Sequence, residues 1–210
     1  MSAYESCREA CGNFEAPGVA LDVPAQVDFS KRKTTYDQAR IEDELDKLDL
    51  TGKNLLHVGV GNSQLAERFA SRVNVIDGLT VSPNELARAA SLGLPNYSVF
   101  LINKYSRQFV MANRYDFVID NNLAGFACCK YHFYSMLDSY VTVMTPGGKI
   151  LTDQEGMNWT YGDPRWKMTY EDLVGLEARF PLRATRVTDQ VHALEHVPPP
   201  AGSRPCMPSP

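Results

Sequence analysis

The clearest pattern of apolar and polar positions lies in residues 54–69. Leu55, Leu56 and Val58 form a short apolar run of the kind that fills a buried parallel strand, and a glycine-rich turn follows at residues 59–63. After this turn, apolar side chains recur at helical spacing. A strand, a glycine turn and a helix in this order are typical of a nucleotide-binding βαβ unit. Glycine lets the backbone approach a ligand closely, and the helix N-terminus offers it free N–H groups.

Strand patterns alternate with helix patterns along the rest of the chain. Further strands are predicted at residues 73–80, 97–103, 115–120 and 149–153, with helices starting near Thr34, Ser82, Phe133 and Thr169. Two final runs, at residues 183–188 and 190–196, predict an antiparallel hairpin. We therefore expect an α/β fold with a mostly parallel sheet, helices on both faces and an antiparallel hairpin at one edge.

The best-marked helix start lies at Ser82. Ser82 suits the N-cap position, Pro83 suits the first helical position, and Glu85 is placed to complete a capping box. The pattern therefore predicts that a helix begins at residue 83.

The two ends of the chain differ from its central part. Residues 1–50 hold one predicted helix whose apolar stripe, Ile41, Leu45 and Leu48, should dock on the core. We expect this segment to form a lid or cap over a pocket, although a disordered tail is equally compatible with residues 1–33. Residues 51–197 form the predicted binding domain, and residues 198–210, with six prolines, form a predicted disordered tail.

Composition and charge restrict the classes of partner. The chain has 210 residues, 44% of them hydrophobic and 22% charged, which suits one α/β domain. The formal net charge of −4 gives no general attraction to nucleic acid or to an anionic membrane, so we expect neither as a partner. No apolar stretch approaches the roughly 20 residues of a membrane helix. Without a leader-like N-terminus, the expected location is the cytoplasm, and the expected state is a monomer or homodimer.

The cysteines and histidines give no motif for a metal. The five cysteines are odd in number and include no C-x-x-C pair, which disfavours a disulfide framework or a zinc site. Cys128 and Cys129 are expected to pack as small apolar side chains. His192 and His196 lie four residues apart on a predicted strand, hence roughly 13 Å apart, too far to share one ion. We therefore expect no metal.

The glycine turn departs from two common nucleotide motifs. A dinucleotide fingerprint, G-x-G-x-x-G, requires a third glycine, and Gln64 occupies that position. A P-loop requires a Lys-Ser/Thr pair after its glycines, and none follows. The ligand must therefore be identified from the stretches that come later in the chain.

Five stretches, taken in order, resemble class I S-adenosylmethionine (SAM) methyltransferases. They are HVGVGNS at residues 57–63, GLTVSPNEL at 78–86, NKYSRQF at 103–109, YDFVIDNN at 115–122 and TPGGKIL at 145–151. The resemblance spans residues 54–196 and implies a Rossmann-like seven-stranded sheet with SAM as cosubstrate. It does not specify the acceptor.

The resemblance also implies a set of binding residues, with two departures. His57 stands where the family usually has an acid, and Thr80 stands where many members have the acid that binds the ribose. Glu85 or Asp77 could then accept the ribose hydroxyls, and Asn103 could contact the adenine. The full expected cofactor set is His57, Gly59, Val60, Gly61, Asn62, Ser63, Asp77, Thr80, Glu85, Asn103, Asp120 and Asn121.

Aromatic and amide side chains are the candidates for catalysis. The expected catalytic residues are Asn121, Tyr36, Phe126 and Tyr131. Trp159 and Tyr161 join the aromatic candidates that could hold the sulfonium by cation–π attraction. His132 is the histidine expected nearest the pocket mouth, unless it lies on the exposed face of its helix.

Three functions are compatible with these residues. The first is methyl transfer from SAM to a small molecule, by in-line displacement that needs little beyond proximity and desolvation. The second uses SAM alone and cyclises its aminobutyryl arm to a small-ring amino acid such as azetidine-2-carboxylate, releasing methylthioadenosine. The third, less favoured, is a SAM-binding protein without catalysis.

Overall fold

A computed structural model describes residues 28–106, 109, 111–159 and 164–198. The predicted Pro-rich tail beyond residue 198 and the part of the predicted lid before residue 28 lie outside the described residues. Tyr161, one of the aromatic candidates, also lies outside them.

The described chain forms seven strands and six α-helices. The strands are β1 (Asn54–Val58), β2 (Val75–Thr80), β3 (Tyr97–Leu101), β4 (Tyr115–Ile119), β5 (Met144–Asp153), β6 (Leu182–Arg186) and β7 (Val191–His196). The helices are α1 (Tyr36–Asp46), α2 (Gln64–Phe69), α3 (Pro83–Ala90), α4 (Lys130–Val143), α5 (Gln154–Asn158) and α6 (Tyr170–Leu176).

The strands form one sheet in the order β3-β2-β1-β4-β5-β7-β6. The pairs from β3 to β5 are parallel, whereas β7 pairs antiparallel with both β5 and β6. The predicted fold class, with an antiparallel hairpin at one edge, is therefore confirmed. The strand order reverses between β1 and β4, since β2 and β3 lie on one side of β1 and β4 and β5 lie on the other. Open sheets of this kind bind ligands in the crevice at the carboxyl ends of the two strands where the order reverses.

Alternation along the strands divides the core into two layers. Leu55 and Ile119 face a layer that includes Ile41 and Leu45 of α1 and the apolar residues of α2. The neighbouring residues, such as Leu56, face a second layer that contains α4 and α6. Helices therefore cover both faces of the sheet, as predicted.

The helices differ from the predicted pattern in three details. Leu48 lies beyond the end of α1 and is 43% exposed, so the docked stripe is Ile41 and Leu45 alone. Ser82 caps α3, but Glu85 turns away from Ser82 and leaves the capping box half made. The short helix α5 was not predicted. It begins because the Asp153 carboxylate accepts hydrogen bonds from the first backbone N–H groups of the helix.

The helices are short. The longest in the described part of the chain, α4, has 14 residues. Within that part, no helix is both long and apolar enough to span a membrane.

Candidate functional site

A cavity of about 980 Å³ opens at the carboxyl ends of β1, β2 and β4. The N-terminus of α1 and the segment before it cover one side, and α5 covers another. The predicted site residues that line the cavity are Tyr36, His57, Gly59, Val60, Gly61, Asn62, Thr80, Glu85, Asn103, Asn121 and Phe126. Trp159 lines it as well. The structure thus brings most of the predicted residues together.

The glycine turn forms the floor of the cavity. Gly59 and Gly61 have φ of +75° and +52°, a region that side chains rarely adopt. The Gly59 N–H donates to the Leu79 carbonyl at 2.9 Å, which ties the turn to the end of β2. Ser63 also has a positive φ, but its hydroxyl accepts from Tyr97 and is fully buried outside the cavity. The Ser63 side chain therefore does not face the cavity as predicted, and its hydrogen bond with Tyr97 stabilises the turn instead.

The carboxylate of Glu85 joins three parts of the cavity wall. Its Oε2 accepts from the Thr80 hydroxyl at 2.7 Å and from the Gly61 N–H at 3.3 Å. Its Oε1 accepts from the Phe29 N–H at 3.3 Å. A carboxylate has about four acceptor positions, so one position on Oε1 remains for a ligand hydroxyl.

The charge of Glu85 depends on this environment. Burial raises the pKa of Glu85 above its usual 4.5, and the hydrogen bonds from Thr80, Phe29 and Gly61 act in the opposite direction. Since only the ionised carboxylate uses all its acceptor positions, we expect the site to be sensitive to acid.

His57 lies at the base of the cavity in a neutral form. Burial lowers its pKa to about 4, because the charged imidazolium would lose its hydration there. Among the described residues, neither ring nitrogen has a hydrogen-bond partner. A buried polar group of this kind normally has a partner, so the neutral ring offers one donor and one acceptor to a ligand in the cavity.

The structure places two predicted acids elsewhere. Asp77 is the third residue of β2 and lies away from the cavity. Its carboxylate accepts hydrogen bonds from the Tyr115 hydroxyl at 2.6 Å and from the Asn113 amide at 2.7 Å. It is therefore not positioned for the ribose hydroxyls, which leaves Glu85. Asp120 is fully buried and accepts from Lys104 at 2.9 Å, so it does not line the cavity either.

Lys104 is a residue that the sequence patterns did not single out. Besides binding Asp120, its ammonium donates to the Asn122 and Leu123 carbonyls at 3.1 and 3.0 Å. Burial lowers the pKa of Lys104, and Asp120 opposes this shift. The lysine joins the loop after β3 to the loop after β4, which fixes the position of Asn103 beside it.

Asn121 is held at the side of the cavity that α1 and α5 cover. Its Nδ2 donates to Asp37 of α1 at 2.6 Å. A Cβ added at Gly156 would lie 2.1 Å from the Asn121 carbonyl, so only glycine lets α5 approach this closely. Asp37 therefore orients the side-chain amide of Asn121, and α5 packs closely on the Asn121 backbone.

Aromatic rings form the outer wall. The Phe126 ring packs on Trp159 and Trp166, with centroids 5.4 and 4.8 Å apart. Phe126 has φ of +65°, a strained conformation for a bulky residue and a frequent mark of functional sites. Tyr36 is 83% exposed at the cavity edge, whereas Tyr131 is half exposed on α4 and outside the cavity. Phe126, Trp159 and Tyr36 therefore remain as candidates to contact a sulfonium.

His132 differs from the expectation of an exposed position. It is fully buried in the first turn of α4, because its ring turns back towards Cys128 and Cys129. It does not line the cavity.

Comparisons with solved structures identify the fold. The N-methyltransferase NodS from Bradyrhizobium japonicum WM9, in complex with S-adenosyl-L-homocysteine, matches with a TM-score of 0.61 and 15% identity, over 84% of this chain and 93% of NodS. An rRNA methylase from Streptococcus thermophilus matches with a TM-score of 0.54 and 12% identity, over 79% of this chain and 98% of the methylase. No family model and no curated protein sequence matches the chain. The chain therefore has the fold of class I SAM-dependent methyltransferases, as the five sequence stretches predicted.

The glycine turn can be tested by the substitution Gly61→Val. A branched side chain at this position would enter the cavity beside Phe29, since a Cβ added at Gly61 would lie 3.4 Å from the Phe29 Cβ. We expect SAM binding, measured by calorimetry, to be lost.

Gly93→Val is the matched control. Gly93 has φ of +61° with open space around it, so the strain is similar but the cavity is untouched. Both variants should lose stability to a similar extent in thermal unfolding, and only Gly61→Val should lose SAM. Equal SAM affinities in the two variants would contradict the assignment of the turn.

The role of Glu85 can be tested by Glu85→Gln, which keeps the shape and removes the charge. Losing a hydrogen bond to a charged acceptor costs roughly 1.5–3 kcal/mol, so SAM affinity should fall about ten- to a hundredfold. Affinity of the unchanged protein should also fall as the pH is lowered towards the raised pKa of Glu85, and Glu85→Gln should lack this dependence. Glu67→Gln, a surface change on α2, is the control. An unchanged affinity and pH profile in Glu85→Gln would remove Glu85 from the site.

Proposed function

We propose that the protein is a SAM-dependent methyltransferase that acts on a small-molecule acceptor. The observation that carries the proposal is the cavity at the carboxyl ends of β1, β2 and β4, with the turn of Gly59 and Gly61 as its floor. One solved structure with this fold holds S-adenosyl-L-homocysteine, the product of methyl transfer from SAM.

The proposed placement of SAM follows the polar groups of the cavity. The methionine part lies against Gly59 and Gly61. Its polar end meets the ring nitrogens of His57, which have no hydrogen-bond partner among the described residues. The ribose hydroxyls donate to the remaining acceptor position of Glu85. The adenine lies beside Asn103, whose amide offers a donor and an acceptor to the base edge.

The charges around the cavity favour a cationic ligand. Four acids line it. Glu42 and Glu155 are paired with arginines, whereas Asp37 and Glu85 have no ion pair among the residues that the structure describes. Two lysines also line it, but the charge of Lys104 is paired with Asp120. The sulfonium of SAM is positive and would be attracted both by these carboxylates and by the faces of the aromatic wall.

The chemistry requires little from the protein besides placement. Displacement at the sulfonium methyl is in line, so the rate depends on holding the acceptor atom opposite the sulfur and on excluding water. Asn121 is fixed by Asp37 at the edge where an acceptor would enter, and its carbonyl and amide can orient that acceptor. Phe126 and Trp159 would shield the sulfonium.

The size of the cavity favours a small acceptor. Sites for drug-sized ligands measure about 300–1,000 Å³, so 980 Å³ leaves room for SAM and a small partner. The net charge of −4 gives no attraction to RNA or DNA. A small molecule is therefore the class of acceptor that we propose, with the chain acting as a monomer or homodimer in the cytoplasm.

The direct test is product analysis by mass spectrometry. The purified protein is incubated with SAM alone and with SAM plus pools of small amines, acids and phenols, using Gly61→Val as the inactive control. We expect S-adenosylhomocysteine and a methylated product only when an acceptor is present. Methylthioadenosine formed without an acceptor would instead support cyclisation of SAM itself to a product such as azetidine-2-carboxylate. No consumption of SAM in any mixture would contradict both enzymatic functions.

The proposed lid can be tested by deleting residues 1–35. The deletion keeps α1, which is anchored on the core by the ion pairs of Arg40 with Asp153 and Glu155 at 2.7 and 2.8 Å. It removes the hydrogen bond from the Phe29 N–H to Glu85 and opens the cavity to water. Turnover should therefore fall about tenfold or more, while circular dichroism should show that the core stays folded.

The control for this deletion is removal of residues 199–210 from the other end, which should leave turnover unchanged. SAM should also slow proteolytic cleavage within residues 28–36 of the full chain. A fully active deletion variant, with cleavage that is insensitive to SAM, would show that the segment is not a lid.

A further inference from the structure

Three side chains that bind soft metal ions meet at the start of α4. They are Cys128, Cys129 and His132, and one ligand atom from each lies within 4.8 Å of the others. The two sulfur atoms are 4.0 Å apart. The His132 Nδ1 lies 3.4 Å from the Cys128 sulfur and 3.2 Å from the Cys129 sulfur.

The local backbone explains why these residues meet. Cys129 is the N-cap of α4 and has extended dihedral angles, with φ of −163°. His132 is the third residue of the helix, and helical side chains point back towards the N-terminus, so its ring reaches over the N-cap. The same geometry lets a third-position glutamate reach the cap in a capping box.

The distances match one face of a tetrahedral zinc site. With Zn–S near 2.3 Å and Zn–N near 2.0–2.1 Å, a tetrahedral ion separates two sulfurs by about 3.8 Å and a sulfur from a nitrogen by about 3.5 Å. The observed separations of 4.0, 3.4 and 3.2 Å differ from these values by only a few tenths of an ångström. A single ion could therefore contact all three atoms with small side-chain adjustments.

Burial leaves one side of the cluster open. Cys129 and His132 are fully buried, whereas Cys128 is partly exposed. An ion can enter from the side of Cys128, and the fourth position of the tetrahedron can hold a water molecule.

We propose that Cys128, Cys129 and His132 bind a zinc ion. Two thiolates and an imidazole suit a borderline-soft ion such as Zn²⁺ and do not suit Mg²⁺ or Ca²⁺, which prefer oxygen ligands. Each thiol loses its proton when the ion binds, so binding releases protons to the solvent. The ion fixes the loop between β4 and α4, which carries Phe126 in its strained conformation at the cavity wall. This site does not depend on the proposed methyl transfer.

The test uses the full-length, reduced protein after removal of metals with a chelator. Co²⁺ is titrated first, because a thiolate–cobalt charge-transfer band in the near ultraviolet reports cysteine ligands directly. We expect the band to saturate at about one equivalent per chain and to disappear when Zn²⁺ is added. Cys128→Ser should abolish the band and weaken Zn²⁺ binding by at least about tenfold in competition with a chromophoric chelator.

The matched control replaces the three cysteines that lie outside the described residues, Cys7, Cys11 and Cys206, with serine, and should keep both the band and the affinity. Cys128 is the first residue to replace because it is partly exposed. Its replacement should therefore leave the fold intact, as measured by circular dichroism. His132→Ala is the second variant. The absence of a charge-transfer band in the unchanged protein would overturn the proposal. A band that survives Cys128→Ser and His132→Ala but is lost in the triple control would overturn it as well. SAM calorimetry on the metal-free protein tests the proposed function separately.

Discussion

The carboxylate of Glu85 is the interaction on which the candidate site depends. It accepts from Phe29, Gly61 and Thr80, and so connects the segment before α1, the glycine turn and the end of β2 at one buried point. These hydrogen bonds act together with the one from the Gly59 N–H to the Leu79 carbonyl, which also ties the glycine turn to the end of β2. Because burial disfavours the charged form while the three donors favour it, the carboxylate is poised to gain from one further donor. A ribose hydroxyl is such a donor, which connects the architecture of the fold to the ligand that we propose.

The opposite side of the cavity is fixed by ion pairs whose carboxylates are fully buried. Asp153 is fully buried and binds Arg40 of α1 through two hydrogen bonds of 2.7 and 2.8 Å. Asp120 is also fully buried and is paired with Lys104. Removing Lys104 would leave the Asp120 charge buried and unpaired, a change that typically costs about 3–5 kcal/mol, whereas the Arg40 side chain is a third exposed. These pairs hold α1 and the loops after β3 and β4 rigidly, so Asn121 and the aromatic wall keep their positions around an open cavity.

The order of the strands and helices could be predicted from the sequence because local patterns of apolar, turn and capping residues determine it. The run from Leu55 to the glycine turn and the helix start at Thr169 are both present in the structure as predicted, and the structure adds a capping box between Thr169 and Asp172. Acidic positions were harder, because their partners lie far away in sequence. Asp77, in the middle of β2, accepts hydrogen bonds from Asn113 and Tyr115, and Asp120 is paired with Lys104. The burial of His132 was missed for a related reason, since spacing along a helix does not show which way its first turn faces. Tertiary pairing, unlike periodicity, leaves no repeat in the sequence.

The central claim is that the cavity above the glycine turn is a SAM site. It is tested most directly by isothermal titration calorimetry of the full-length protein with SAM, S-adenosylhomocysteine and NAD. We expect one binding event for SAM and for S-adenosylhomocysteine and none for NAD, because the turn lacks the third glycine of a dinucleotide site. Binding of NAD together with no binding of either SAM or S-adenosylhomocysteine would contradict it.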